Sequence, residues 1–166
     1  MSPSQINAEA PFELVPGTRY EVVIGTSGAQ TARATITAAA VEPGMATVQN
    51  GQIIAQHLDG TLVSEASPAK PGTYVIFYLA GLGATDNPIE DGAASPSNPL
   101  AHPSVAPALT LNGVTQPYQF AGLTPGIVGL YQINFLVPST TADGDMLLVI
   151  SQSGLASNSV ILPVRQ

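Results

Sequence analysis

The chain has 166 residues, 45% of them hydrophobic and 9% charged, with four basic side chains against eleven acidic ones for a formal net charge of −7, and no cysteine. That length holds one domain, or one domain and a fragment, and suffices for a core without disulfides or metals. The charge argues against nucleic acid or an anionic membrane as partner, since both demand clustered Lys or Arg, and the lack of cysteine excludes a disulfide framework, a thiolate metal site and a cysteine nucleophile.

Turn signals divide the chain into short β-rich runs. In chain order the expected strands are residues 19–25, 31–41, 45–49, 52–56, 61–63, 73–80, 108–111, 114–116, 130–137, 146–151 and 159–164. Asn50-Gly51 and Asn112-Gly113 separate pairs of these runs, and such dipeptides accept the positive φ that two-residue hairpins require. Asp59-Gly60 marks a third turn. Thr35-Ile36-Thr37 shows the period-2 alternation of a half-buried strand. The run Tyr74-Val75-Ile76-Phe77-Tyr78-Leu79 is nearly continuous in apolar and aromatic residues and reads as a central strand buried on both faces. With 15 prolines and 16 glycines there is little room for a long helix. Ala38-Ala39-Ala40 has helical propensity, but Ile36-Thr37 and Val41 beside it favour strand. Many short strands separated by regular turns predict an all-β, immunoglobulin-like β-sandwich. Residues 86–104 break the rhythm with Pro88, Pro96, Pro99 and Pro103. A loop of that length is usually functional or mobile.

An internal repeat is present. Gln5-Ile6-Asn7 through Pro11 recurs as Gln132-Ile133-Asn134 through Pro138, and Gly17 then matches Gly144 at the same spacing. Val22-Val23-Ile24 falls opposite Val149-Ile150-Ser151, and Gly28 meets Gly154 after a one-residue deletion. The repeated unit reads as strand, Pro-marked corner, strand, Gly turn, strand. Two organisations fit it: residues 1–42 as the closing strands of a preceding Ig-like unit followed by a complete sandwich over 43–166, or residues 1–42 as the first strands of one larger sandwich. In the first, the N-terminal segment carries open apolar edges that must pair within the chain or with a neighbour.

The stretch Ala121-Gly122-Leu123-Thr124-Pro125-Gly126 through Gly129-Leu130-Tyr131-Gln132-Ile133-Asn134 and Val137-Pro138, with Gly81-Leu82-Gly83 after an aromatic strand, resembles the uncharacterised Ig-like C-terminal domain of large secreted proteins of soil acidobacteria. Residues 2–7 resemble the stretch that ends the domain before it in those proteins. The resemblance implies a secreted, modular protein and carries no activity, hence no catalytic residues. Truncation of the expected upstream domain is its one departure. Met1-Ser2-Pro3 runs into patterned sequence with no signal-peptide pattern, so export to an extracellular or cell-surface location is expected to depend on a signal removed or lying upstream. No apolar run approaches the roughly 20 residues of a membrane span.

Chemistry-bearing residues are few. His57 beside a predicted hairpin and His102 in the Pro-rich loop are the available bases, and neither has a sequence neighbour that would orient it as a catalytic base for a Ser or Thr. Gly81-Leu82-Gly83 lacks the third glycine and the helix of a dinucleotide site. The acidic loop offers Asp86, Asn87, Glu90 and Asp91 as oxygen ligands, for which the hard cation calcium is the candidate. A second short cluster is Asp143-Gly144-Asp145. Without tryptophan, a glycosidase cleft or sugar platform has weak support, and the aromatic residues are expected in the core. The expectation is a non-enzymatic structural or assembly module that associates with itself or with neighbouring β domains through strand edges. The alternative is a binding module for glycan or calcium through residues 86–104.

Overall fold

The computed structural model describes the backbone of residues 6–26 and 29–166. Two compact units divide the chain, Met1–Ala40 and Val41–Gln166. Among the described residues, apart from one 3-10 turn at Gln49–Gly51, all regular structure is β.

The first unit is a hairpin. Strand β1 (Arg19–Thr26) pairs antiparallel with β2 (Ala29–Thr37), from Arg19 opposite Thr37 to Thr26 opposite Ala29, with a register shift at Ile24/Gly25. The β-branched runs Val22-Val23-Ile24 and Thr35-Ile36-Thr37 favour this extended backbone. The strand ends at Thr37, so neither the helical nor the strand reading of Ala38-Ala39-Ala40 is realised. Residues 6–18 hold turns and no strand. They join the hairpin by backbone bonds from Gly17 N–H to Ala38 C=O (2.8 Å) and from Ala38 N–H to Thr18 C=O (2.9 Å). The strand expected at the head of the first repeat is therefore not formed over its described residues. Its counterpart β9 (Tyr131–Leu136) is held between two other strands, whereas β1 and β2 make a sheet of two. Gln5 and Gly28, which the sequence alignment uses, lie outside the described residues.

The second unit holds two five-stranded antiparallel sheets. In one, β5 (Tyr74–Ala80) pairs on one side with the short strands β3 (Gly44–Met45) and β4 (Ala55–His57), and on the other with β9, which also pairs with β8 (Phe120–Leu123). In the other, the long strand β10 (Gly144–Gln152) lies between β6 (Ala108–Leu111) on one side and β11 (Leu155–Ala156) with β12 (Val160–Val164) on the other. The last strand, β7 (Val114–Gln116), closes on β6 through the Asn112-Gly113 turn, whose φ values of 48° and 78° are those a two-residue hairpin needs.

Alternate residues of both sheets meet in one core. Val75, Phe77 and Leu79 of β5 and Tyr131, Ile133 and Phe135 of β9 join Leu109 and Leu111 of β6, Met146, Leu148 and Ile150 of β10, and Val160, Leu162 and Val164 of β12. Each such side chain contributes about 1.5–3 kcal/mol on full burial. The architecture is all-β with open antiparallel sheets, compatible with a β-sandwich.

Three local expectations are corrected. Strand β5 is central, but only one face is core. Tyr74, Ile76 and Tyr78 on the other face are half-buried, and the Tyr78 hydroxyl donates to Gln56 Oε1 at 2.9 Å. Residues 45–49 and 61–63 are not full strands. Their segment divides its backbone bonds, with Ile53 N–H donating to Ile161 C=O and Ala69 N–H to Pro163 C=O (both 2.9 Å). The Asn158 amide then takes the place of a strand neighbour at Met45, accepting from its N–H at 2.9 Å and donating to its C=O at 3.0 Å. Strand β8 is disguised in the sequence by Gly122. A Cβ there would lie 2.6 Å from Ala101 C=O, so only glycine lets the 86–104 loop pack against this strand.

Candidate interaction surface on the β1–β2 hairpin

Register places the side chains of the hairpin. Tyr20 stands opposite Ile36, Val22 opposite Ala34 and Ile24 opposite Ala32, so these six share one face. The other face is more polar and carries Arg33 Nη1 3.0 Å from the Glu21 carboxylate. Both partners of that ion pair are more than half exposed, so its contribution is small. On the apolar face Val22 is 41% exposed and Ile24 and Ile36 are each 38% exposed. Ala32 and Ala34 are exposed as well, and Tyr20 is half-buried.

The same hairpin geometry occurs in the second unit. At a constant difference of 126 positions, six cross-strand pairs of β1–β2 have counterparts between β10 and β11 or β12. Arg19↔Thr37 becomes Asp145↔Pro163, Tyr20↔Ile36 becomes Met146↔Leu162, and Val22↔Ala34 becomes Leu148↔Val160. Both hairpins also shift register by one residue at corresponding places. This corrects the sequence alignment, which set Val22 against Val149. The one-residue gap belongs between Gly17 and Arg19, before the strands begin, and a slip of one residue exchanges the two faces of a strand. With the register right, Tyr20, Val22, Ile24, Ala34 and Ile36 correspond to Met146, Leu148, Ile150, Val160 and Leu162, all buried in the core.

The candidate calcium ligands are distributed otherwise. Asp86 closes the neck of the 86–104 loop: its N–H donates to His102 C=O (2.9 Å) and its Oδ1 accepts from His102 N–H (2.8 Å). Asn87 Nδ2 reaches Pro99 C=O at 3.4 Å, Glu90 C=O caps a turn by accepting from Ala93 N–H at 3.0 Å, and the Glu90 and Asp91 side chains are exposed. Among the described residues no group of three or more His, Asp or Glu is gathered to hold a metal. The loop is anchored along its length, with Leu123 N–H on Ala101 C=O and Gly126 N–H on Ser95 C=O (both 2.8 Å) and Ile89 packed on the core. In the second acidic cluster, Asp143 accepts from Gln166 N–H at 2.8 Å and Asp145 from Arg165 Nη2 at 3.1 Å.

Each histidine has a local role. His102 Nδ1 lies 2.9 Å from Ala121 C=O, and its ring meets Phe120 edge to face at 5.3 Å. His57 lines an open recess with Asp59, Ser67, Lys70 and Tyr74. Its Nε2 is 3.2 Å from Ser67 C=O and 3.3 Å from Ser67 Oγ, so a protonated Nε2 bonded to the carbonyl cannot also serve as base for the hydroxyl. Asp59 does not orient this ring, because its Oδ1 accepts from Thr61 Oγ1 (2.6 Å) and Thr61 N–H (2.9 Å). Those two bonds hold the Asp59 carboxyl below its ordinary range.

No family model, no curated protein and no solved structure matches this chain.

Proposed function

We propose that this chain is an extracellular structural module that associates with β domains, copies of itself included, through the β1–β2 hairpin. The observation that carries the reading is the solvent-exposed apolar face formed by Val22, Ile24, Ala34 and Ile36 on what is, among the described residues, a two-stranded sheet. A two-stranded hairpin alone in water is marginal, and apolar sheet faces and edges recruit further strands. We read the second unit as a self-sufficient Ig-like sandwich that carries this hairpin, in keeping with the resemblance to secreted modular proteins. A charge content of 9% also suits a protein whose surface meets other proteins rather than polyanions. Residues 86–104 then serve as a bonded cover over one end of the core, and the reading assigns no catalytic group.

Sedimentation velocity on the full chain tests this. The sedimentation coefficient is expected to rise with concentration, and a Val22→Lys/Ile36→Lys chain to stay monomeric. Charges pointing into the face are the device by which natural sheets block association, and lysines reduce the chain's net negative charge, so charge repulsion cannot explain the loss. A wild-type chain monomeric at every concentration contradicts the reading.

A further inference from the structure

We infer that the apolar face of β1–β2 is shaped to close an open β-sheet of the same kind as the second unit's β5–β9 sheet, so that its partner is an Ig-like half-sandwich lacking a closing hairpin of its own. This rests on the assembly reading and names the partner. Three observations carry it. The register of β1–β2 is that of β10 with β11 and β12 at a constant 126-residue difference, register shift included. The face that this register turns inward in the second unit is fully occupied: Leu148, Ile150, Val160 and Leu162 are 0% exposed and share one core with Val75, Phe77, Ile133 and Phe135 of β5 and β9. The corresponding face of β1–β2 is chemically of the same type and is uncovered, while its ion pair, Arg33 with Glu21, stands on the outward side as Asp145 with Arg165 does on the outer side of the second hairpin.

The equivalence specifies the partner's chemistry. Its inner face alternates Val, Phe, Leu or Ile at strand spacing, as β5 and β9 do. Its second sheet ends in a strand with a free edge that pairs beside β1 as β6 pairs beside β10, where Leu148 stands opposite Leu111. Because β1–β2 presents Val22 and Ala34 where β10 and β12 present Leu148 and Val160, the partner's facing side chains are bulkier than those of the second unit. A complete second copy meets this description only at its strand edges, since its β5–β9 sheet is already covered by its own β10 and β12, so self-association is the weaker form of the same contact.

The test supplies such a half-sandwich in the full chain. A second copy of residues 41–144 is inserted between Thr18 and Arg19, which sets Arg19 in the position that Asp145 holds after Gly144. Residue-resolved hydrogen exchange and limited proteolysis are read on the insert and on β1–β2. The expected result is protection of the inserted β5 and β9 strands, together with slower exchange at Val22 and Ala34, by at least tenfold. A companion chain with Val22→Leu, Ala34→Val and Ala38→Val restores the second unit's own core side chains and guards against a cavity that keeps the insert unfolded, so folding of the insert in either chain supports the inference. An insert that stays protease-sensitive in both overturns it. Equal folding when one extra residue is placed at the junction, which would turn the polar face inward, also overturns it. Failure of the insert with concentration-dependent sedimentation intact defeats this inference alone, whereas a wild-type chain that is monomeric throughout defeats the assembly reading beneath it.

Discussion

Leu148 and Val22 occupy the same place in two hairpins of the same register, which makes them a matched pair for mutation. Leu148 is 0% exposed in β10, with β12 on one side and β6 on the other. Leu148→Ala deletes three carbons there. At about 0.8 kcal/mol per buried carbon the transfer loss is about 2.4 kcal/mol, and the cavity left behind raises it toward ~4 kcal/mol. Val22→Ala deletes two methyls from a side chain that is 41% exposed, so the unfolding of the second unit should change by less than about 0.5 kcal/mol. Urea unfolding of the full chain, followed by circular dichroism and by tyrosine fluorescence in a chain without tryptophan, reads both. A Val22→Ala chain destabilised as strongly as Leu148→Ala would show instead that the hairpin face is already covered.

Gly81→Ala should destabilise the second unit by at least about 2 kcal/mol, because Gly81 has φ +81° and an added Cβ would lie 1.9 Å from Glu42 C=O; a thermal melt with an unchanged midpoint would contradict this. Asn112→Ala should cost about 1–2 kcal/mol, since Asn112 combines φ 48° with an Oδ1 that accepts from Leu147 N–H at 2.7 Å; Asn112→Gly, which relieves the backbone, should cost less. Burial pushes the Tyr118 phenol above its ordinary value of 10.0, and its hydroxyl donates to Pro107 C=O at 2.9 Å. The folded state thus favours the neutral phenol, so the stability it contributes is fully present below the unfolded value and is lost as pH rises through the raised folded one. Tyr118→Phe should therefore flatten the alkaline fall in urea midpoint relative to wild type, and identical alkaline profiles would refute the assignment.

Much of the strand framework was legible because alternation and turn chemistry are local. The Asn112-Gly113 hairpin, the strands over residues 74–80, 131–136 and 160–164, and the strandless 86–104 loop follow from side-chain period and from residues that accept positive φ. What escaped is set by long-range partners. The segment between residues 46 and 69 has strand composition, yet it is bridged in parallel to β12 at Gln52↔Ile161 and Ala69↔Val164 and forms one short strand. Gly122 hides a strand that pairs with β9, and glycine is needed there because the 86–104 loop approaches it closely. The acidic loop shows the limit for sites: Asp86 reads as a metal ligand by residue type, but its carboxylate accepts the backbone N–H of His102, a partner sixteen residues away. The repeat was visible, but its register was not. Sequence identity favoured a match that set Val22 against Val149, and only the cross-strand pairing places Val22 against the core residue Leu148.

The most direct measurement for the assembly claim is residue-resolved hydrogen exchange on the full chain at low and at high protein concentration, comparing Val22 and Ala34 with Leu148 and Val160. Registers being equal, the change with concentration at each pair reports what covers that hairpin. Rapid exchange at Val22 and Ala34 is expected in dilute solution, slowing as concentration rises, while Leu148 and Val160 stay protected throughout. Hairpin amides as protected as those of β10 and β12 in dilute solution, or unchanged by concentration, would contradict it.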